Sequence, residues 1–357
     1  MPALDLSQSS VELTRTLCDI PSVSGDESTL ADAIEAAVSV LPHLDVYRDG
    51  DTIVARTALG RPQRVVIAGH IDTVPINRNL PTRLVEADGV PTLWGRGTVD
   101  MKAGVAVQLH LAAELTAPRA DITWMWYDHE EVDAELNGLT RLARTRPDLF
   151  AGDFAILGEP SNGTVEGGCN GNLRVIVRTH GVRAHSARAW IGENALHAAA
   201  PALTRLAEYR PRTISVEGLD YREGLNAVRI TGGIAGNVIP DLCEIEVNYR
   251  FAPSRTVEEA EGHVRDVFAG FEVEVVDRAA GARPGLDAPL AQEFLAAVGG
   301  EPRPKYGWTD VARFSALGVP AVNYGPGDPS LAHHDEERVP LSQIEDVERG
   351  LRAWLSS

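Results

Sequence analysis

The sequence predicts an α/β protein in which buried parallel strands are covered by helices, with a smaller α+β unit inserted into the larger one. Three observations predict it. Four short apolar runs, RVVIAG (64–69), ITWMWY (122–127), DFAILG (153–158) and PAVNYG (320–325), alternate with helical stretches such as AGVAVQLHLAAEL, the pattern of strands buried on both faces. From about 173 to 284 the rhythm changes to β-α-β-β-α-β, the order of the split βαβ or ferredoxin-like unit. At 357 residues the chain also exceeds the usual reach of one hydrophobic core.

In chain order, VELTRTLCDI and PSVSGDESTLADAIEAAVSVL read as two helices, the second entered through a Ser24 or Asp26 cap. The four apolar runs follow as strands of the large domain. In the insertion, RVIVRTH is a strand, NALHAAAPALTRLAEY a helix, LNAVRITGGIA and CEIEVNYRFAP two strands, VEEAEGHVRDVFAG a helix and FEVEVV the last strand. The expected division is 1–172 for the first part of the large domain, 173–284 for the insertion and 285–357 for the return.

Apolar residues at 44% and charged residues at 24% match an ordinary soluble globular protein. A formal charge of -18, with no Lys/Arg block to offset it, repels a phosphate backbone and argues against nucleic acid as a partner. No basic start precedes an apolar stretch and no segment approaches membrane-span length, so the expectation is a cytoplasmic protein with no membrane partner. Cys18, Cys169 and Cys243 are odd in number, far apart and without a CxxC pair. Neither a disulfide framework nor a thiolate metal site is indicated, so any metal must be held by oxygen and imidazole.

Each apolar run of the large domain is followed by acidic or histidine residues: His70 and Asp72, then Asp128 to Glu131, then Glu159, then His333 and His334 after a GPGD turn. Strand ends in an open α/β sheet line one crevice, so these separate segments are expected to converge. Taken singly, each has an ordinary reading. A histidine near a strand end also serves as a hydrogen-bonded structural residue, Asp100 in GRGTVDMK also suits a helix cap, and Glu159 before Pro160 also suits the surface. Glu130 and Glu131 are adjacent and would repel if they shared one job. The functional reading gives one to a metal and makes the other a proton acceptor. Together the set offers two histidines, one aspartate and two glutamates, a donor set suited to Zn²⁺ or a similar ion, with a carboxylate to spare as a bridge. No GxSxG elbow and no HExxH helix is present.

GHIDTVP (69–75), GRGTVDMKAG (95–104), DHEE (128–131), GEP (158–160), GVRAHSA (181–187) and AHHDEERV (332–339) occur in the order seen in the di-zinc family of aminoacylases, carboxypeptidases, acetylornithine deacetylases and desuccinylases, which the chain resembles over nearly its whole length. The resemblance implies a zinc-peptidase-like mixed sheet with helices on both faces, plus a ferredoxin-like dimerisation or lid domain. It gives His70, Asp100 and Glu159 to one zinc and Asp100, Glu131 and His333 to the other, with Asp100 bridging and Co²⁺ able to substitute. Asp72 would orient His70, Glu130 would be the general base, and His185 would reach the partner subunit's site in a homodimer. Counting back from Glu337 selects His333, with His334 as the neighbouring candidate. The segment GWTDVARF carries one residue more than its counterpart, which leaves Thr309 and Arg313 without assigned roles. The insertion is most similar to actinobacterial-type desuccinylases, which implies hydrolysis of N-succinyl-L,L-2,6-diaminopimelate, a small anionic acyl amino acid, on the route to lysine and diaminopimelate. An acetylornithine deacetylase or dipeptidase on the same zinc site is the rival. Asn237 and Arg250 resemble substrate-contact positions; without the resemblance, Arg250 reads as an exposed strand arginine.

Overall fold

A computed structural model describes residues 3–356. They form two compact units: one comprises the described chain up to Gly167, Pro284–Arg303 and the described chain from Thr309 onward, and the other Gly168–Arg283 with Pro304–Trp308.

The first unit is built on an eight-stranded sheet ordered Asp45–Asp49, Thr52–Arg56, Asp121–Tyr127, Arg64–His70, Phe154–Leu157, Ala321–Asn323, Glu166–Gly167 and Arg303–Pro304. The four apolar runs are its parallel centre: Arg64–His70 parallels both Asp121–Tyr127 and Phe154–Leu157, and the latter parallels Ala321–Asn323. Antiparallel neighbours on either side make the sheet mixed. Every residue of Asp121–Tyr127 is buried, which is why the run is apolar without alternation. The helix Lys102–Glu114 is buried almost all round, and it packs against the sheet, against Ser10–Cys18 and against the closing helix Leu341–Ser356. A second, three-stranded sheet pairs Arg83–Ala87 with Val90–Trp94, and the latter with Arg338–Pro340. Its hairpin turns on Asp88 and Gly89, both at positive φ (51° and 77°), the Asp-Gly chemistry of a two-residue turn.

The cap of the second helix differs from expectation. Ser28–Val38 is preceded by Glu27 with no side-chain cap bond; Ser24 Oγ instead donates to Asp72 Oδ2 at 2.7 Å. The first helix, Ser10–Cys18, is capped by Ser9, which accepts from the Glu12 N–H.

The second unit holds a four-stranded antiparallel sheet ordered Gly224–Gly232, Leu242–Phe251, Gly171–His180 and Glu272–Ala279. With the helices Ala195–Ala198, Ala200–Glu208 and Val257–Val267 this is the β-α-β-β-α-β order. One face of Gly171–His180 is buried and the other is not; Val175, Val177, Ile245, Val247, Ala260, Val264 and Phe268 form the core beneath it. The unit begins at Gly168 and not 173 because Cys169 and Ala282 exchange both backbone hydrogen bonds (3.0 and 3.1 Å), and Pro304–Trp308 returns to it, where Asn170 N–H donates to Lys305 O. Neither short segment carries a periodic pattern. The unit also holds the hairpin Thr213–Val216 with Leu219–Arg222, whose turn is Glu217-Gly218.

Candidate metal centre

The parallel register gathers the strand ends of the first unit. His70 pairs with Tyr127 and Ala68 with Leu157, so His70, the 128–131 segment and Glu159 leave the sheet at one level. Asp100 arrives from the Val90–Trp94 strand, just ahead of the Lys102–Glu114 helix, through a cis Asp100–Met101 peptide. It does not cap that helix, whose N-cap is Met101 without a side-chain bond.

His70, Asp100 and Glu131 present ligand atoms within 4.8 Å of one another. Asp100 divides its two oxygens: Oδ1 lies 3.0 Å from His70 Nε2 and Oδ2 lies 3.4 Å from His333 Nε2. His333 Nε2 is also 2.9 Å from Glu131 Oε2. A carboxylate that gives each oxygen to a different imidazole has the disposition of a bridge, and this oxygen and imidazole set fits divalent cations. His333 takes a positive φ of 63° to reach it, a conformation uncommon for a residue with a Cβ. His334 is turned elsewhere, its Nδ1 accepting from the Glu336 N–H at 3.1 Å.

Asp72 is fully buried, and its carboxylate does more than orient a ring. Oδ1 accepts from the Glu130 N–H (3.0 Å) and Oδ2 from the Glu131 N–H (3.1 Å), so one side chain fixes the backbone of both glutamates. His70 Nδ1 is nearer the Asp72 carbonyl (3.0 Å) than its carboxylate (3.5 Å). Either contact directs Nε2 toward Asp100. Glu130 is half-buried and Glu159 buried. Thr309 donates to Asn323 at 2.9 Å, and Arg313 pairs with Asp310.

The remaining candidates lie in the second unit. His185 is exposed and pairs with Val238, beside Asn237. Its Nδ1 accepts from the Ala187 N–H at 3.0 Å, which leaves the proton of the neutral ring on Nε2 as a donor. Arg250 sits half-buried on Leu242–Phe251, cross-strand from Asn172 and Gly224.

The electrostatics follow from crowding carboxylates in a buried space. Burial raises the Glu130 carboxyl well above its ordinary range, and the charges of Glu159, Asp310 and Glu131 add to this against the opposing effect of His70. Burial likewise raises Glu131. Asp100 is held low, its bonds to His333 and His70 outweighing burial. Bonds to Asp100 and Glu131 raise His333 to about 10, and His70 stays well above its usual value although burial opposes its bonds to Asp100 and Asp72. In the metal-free chain these pairs stabilise the fold below the ordinary histidine pKa, and His333 stops contributing as pH rises through about 10. Metal requires neutral imidazole, so uptake at pH 7 is expected to release roughly two protons and to weaken as pH falls. Calorimetric titration of the metal-free protein in buffers of different ionisation enthalpy measures this; a heat independent of buffer contradicts it.

Several residues around the site have no individual role in the sequence reading. His129, at φ 58°, sets Nδ1 2.7 Å from Asp128 Oδ2 and 3.3 Å from Glu27 Oε1. Asp128 itself is tied to Arg141 at 2.8 Å and to Thr52. Arg96 and Glu337 form a buried ion pair at 2.8 Å.

A family model described as peptidase family M20/M25/M40 matches residues 66–357. A Mycobacterium tuberculosis protein named as a succinyl-diaminopimelate desuccinylase is 52% identical over 355 residues, 99% of each chain. The succinyl-diaminopimelate desuccinylase of Corynebacterium glutamicum is 48% identical over 366 residues, 99% of this chain and 98% of its own. A tripeptidase structure from Staphylococcus aureus superposes with a TM-score of 0.79 at 21% identity, over 99% of this chain and 98% of its own, and so shares the fold.

Proposed function

The chain belongs to peptidase family M20/M25/M40, and on that premise we propose its reaction and the residues that perform it. It is a metal-dependent amidohydrolase that cleaves N-succinyl-L,L-2,6-diaminopimelate to succinate and L,L-diaminopimelate, in the biosynthesis of lysine and diaminopimelate. The observation that carries this is identity of 52% spread over 99% of the chain, insertion included.

His70, Asp100 and Glu159 would hold one ion and Asp100, Glu131 and His333 the other, with Zn²⁺ as the native metal and Co²⁺ as substitute. Two ions held there would supply a water of lowered pKa and a polarised amide carbonyl. Glu130 takes the proton of the attacking water and passes it to the leaving amine. Asp72 keeps Glu130 and Glu131 in register through their N–H groups. His185 donates its Nε2 proton to the oxyanion.

We place His185 across a homodimer. The edge strand Gly224–Gly232 exposes Val228 and Ile230, and Leu203 and Leu196, which packs beside Gly232, are exposed as well. An open apolar edge of this kind calls for a second copy of the same chain. Inactive Glu130→Gln subunits mixed with inactive His185→Ala subunits are expected to regain activity, because one site of a mixed dimer keeps both residues; verified mixed dimers without recovery rule the role out. The reading also places the enzyme in the cytoplasm, in keeping with three buried free thiols and, among the described residues, no helix long and apolar enough to cross a membrane.

The substrate carries three carboxylates at neutral pH, so a chain of charge -18 needs local cations to hold it. Arg250 suits this: its guanidinium is partly desolvated, which lowers its pKa, and it makes no ion pair within 4 Å among the described residues. Succinyl-diaminopimelate is expected to be cleaved far faster than acetylornithine, and Arg250→Ala to cut kcat/KM for the succinylated substrate by ~10- to 150-fold, the value of one charge-assisted contact. Preferential turnover of acetylornithine by the unsubstituted enzyme overturns the substrate assignment and leaves the metal chemistry standing.

A further inference from the structure

We infer that Glu337, held by Arg96, is the positioning residue that sets Asp100 and His333 for the second metal ion; the inference rests on the ligand set proposed above. Glu337 is fully buried and its oxygens are divided between two tasks. Oε1 accepts from the Val99 N–H (2.8 Å) and from the N–H of Asp100 itself (3.0 Å). Oε2 accepts from Arg96 Nη1 at 2.8 Å, and the same Nη1 reaches the His334 carbonyl at 3.3 Å.

The sheet makes this arrangement. Arg338 pairs with Trp94, and the Gly95 N–H donates to the Glu337 carbonyl at 3.0 Å, so the ladder delivers Glu337 to the loop that carries Asp100. On its own side, the Glu337 N–H closes a turn onto the His334 carbonyl at 3.2 Å, directly after His333. One residue therefore holds the backbone of the bridging ligand with its carboxylate and closes the turn of the other with its own N–H. The Arg96 guanidinium holds that carboxylate from behind and fastens the His334 carbonyl as well.

A buried ion pair is on its own weak grounds for stability, since an apolar pair of similar volume often serves as well or better. An apolar pair cannot accept two backbone N–H groups, one of them belonging to a metal ligand. That difference separates positioning from packing. Partners of metal ligands typically change metal affinity by about 10- to 100-fold when removed.

The test compares two double variants in the full-length, metal-free protein, titrated with Co²⁺ against a competing chelator and followed by the visible spectrum and by thermal unfolding. Arg96→Met with Glu337→Gln keeps an oxygen for the Val99 and Asp100 N–H groups, whereas Arg96→Met with Glu337→Met keeps only the volume. The Gln form is expected to bind two ions with a spectrum close to that of the unsubstituted protein. The Met form is expected to bind its second ion ~10- to 100-fold more weakly, with an altered spectrum, even where its metal-free melting temperature equals or exceeds that of the Gln form. Equal affinities and spectra in the two doubles overturn the inference. An unsubstituted protein that takes up fewer than two ions overturns the ligand set instead.

Discussion

Glu130→Gln is expected to lower turnover by about 10²- to 10⁴-fold, or about 2.7–5.5 kcal/mol of barrier, with both ions still bound. The amide is nearly isosteric and keeps the backbone bond from the Glu130 N–H to Asp72, so neither the fold nor the adjacent Glu131 ligand is disturbed. What it loses is the ability to accept and return a proton. The burial and neighbouring charges that raise the Glu130 carboxyl make it a stronger base than an exposed glutamate once it is ionised, and bound cations favour that ionisation. Metal analysis beside steady-state kinetics separates the roles: loss of metal from Glu130→Gln with retention in Glu131→Gln would reverse the two assignments.

His333→Ala is expected to remove one ion per subunit and with it measurable hydrolysis, while His334→Ala retains both. The two histidines are adjacent, but only His333 contacts carboxylates of the centre, at 2.9 Å to Glu131 and 3.4 Å to Asp100. Its removal leaves those two acids without an imidazole between them. His334 works locally, capping Glu336 and closing onto the Leu331 carbonyl, so its loss is expected to cost only a fraction of a cap's ~1 kcal/mol. Ion stoichiometry after exhaustive dialysis decides between them, and equal depletion in both variants would defeat the register argument.

The parts of this architecture legible in the sequence are those with a repeating physical cause. Arg64–His70 and Asp121–Tyr127 are apolar along their whole length because both faces are covered, and the chemistry follows them because parallel strand ends share an edge. The second unit shows alternation because one face of its sheet is open. Residues that act through a single long-range bond were not legible. Ser24 or Asp26 suits a cap because such residues commonly cap helices; Ser24's partner Asp72 is brought near only by the fold. Glu337 served to count register, while its bonds to Val99 and Asp100 depend on a strand pairing that no local pattern announces. The return of Pro304–Trp308 to the second unit is likewise a matter of tertiary context.

The place of Ala321–Asn323 within the large sheet, between Phe154–Leu157 and Glu166–Gly167, bears on how the protein is made. A ribosome delivers the N-terminal ligands first, at about 5–20 residues per second, but the sheet stays split until this late strand slots into its middle. His333 and the Arg338–Pro340 strand follow later still. A nascent or prematurely terminated chain therefore holds His70, Asp100 and Glu131 without His333, which the proposed ligand set gives to the second ion. Pairings of such sequence separation form slowly. On the proposed ligand set, a fragment that ends short of residue 333 lacks one ligand of the second ion, so loading of that ion would await nearly the whole polypeptide.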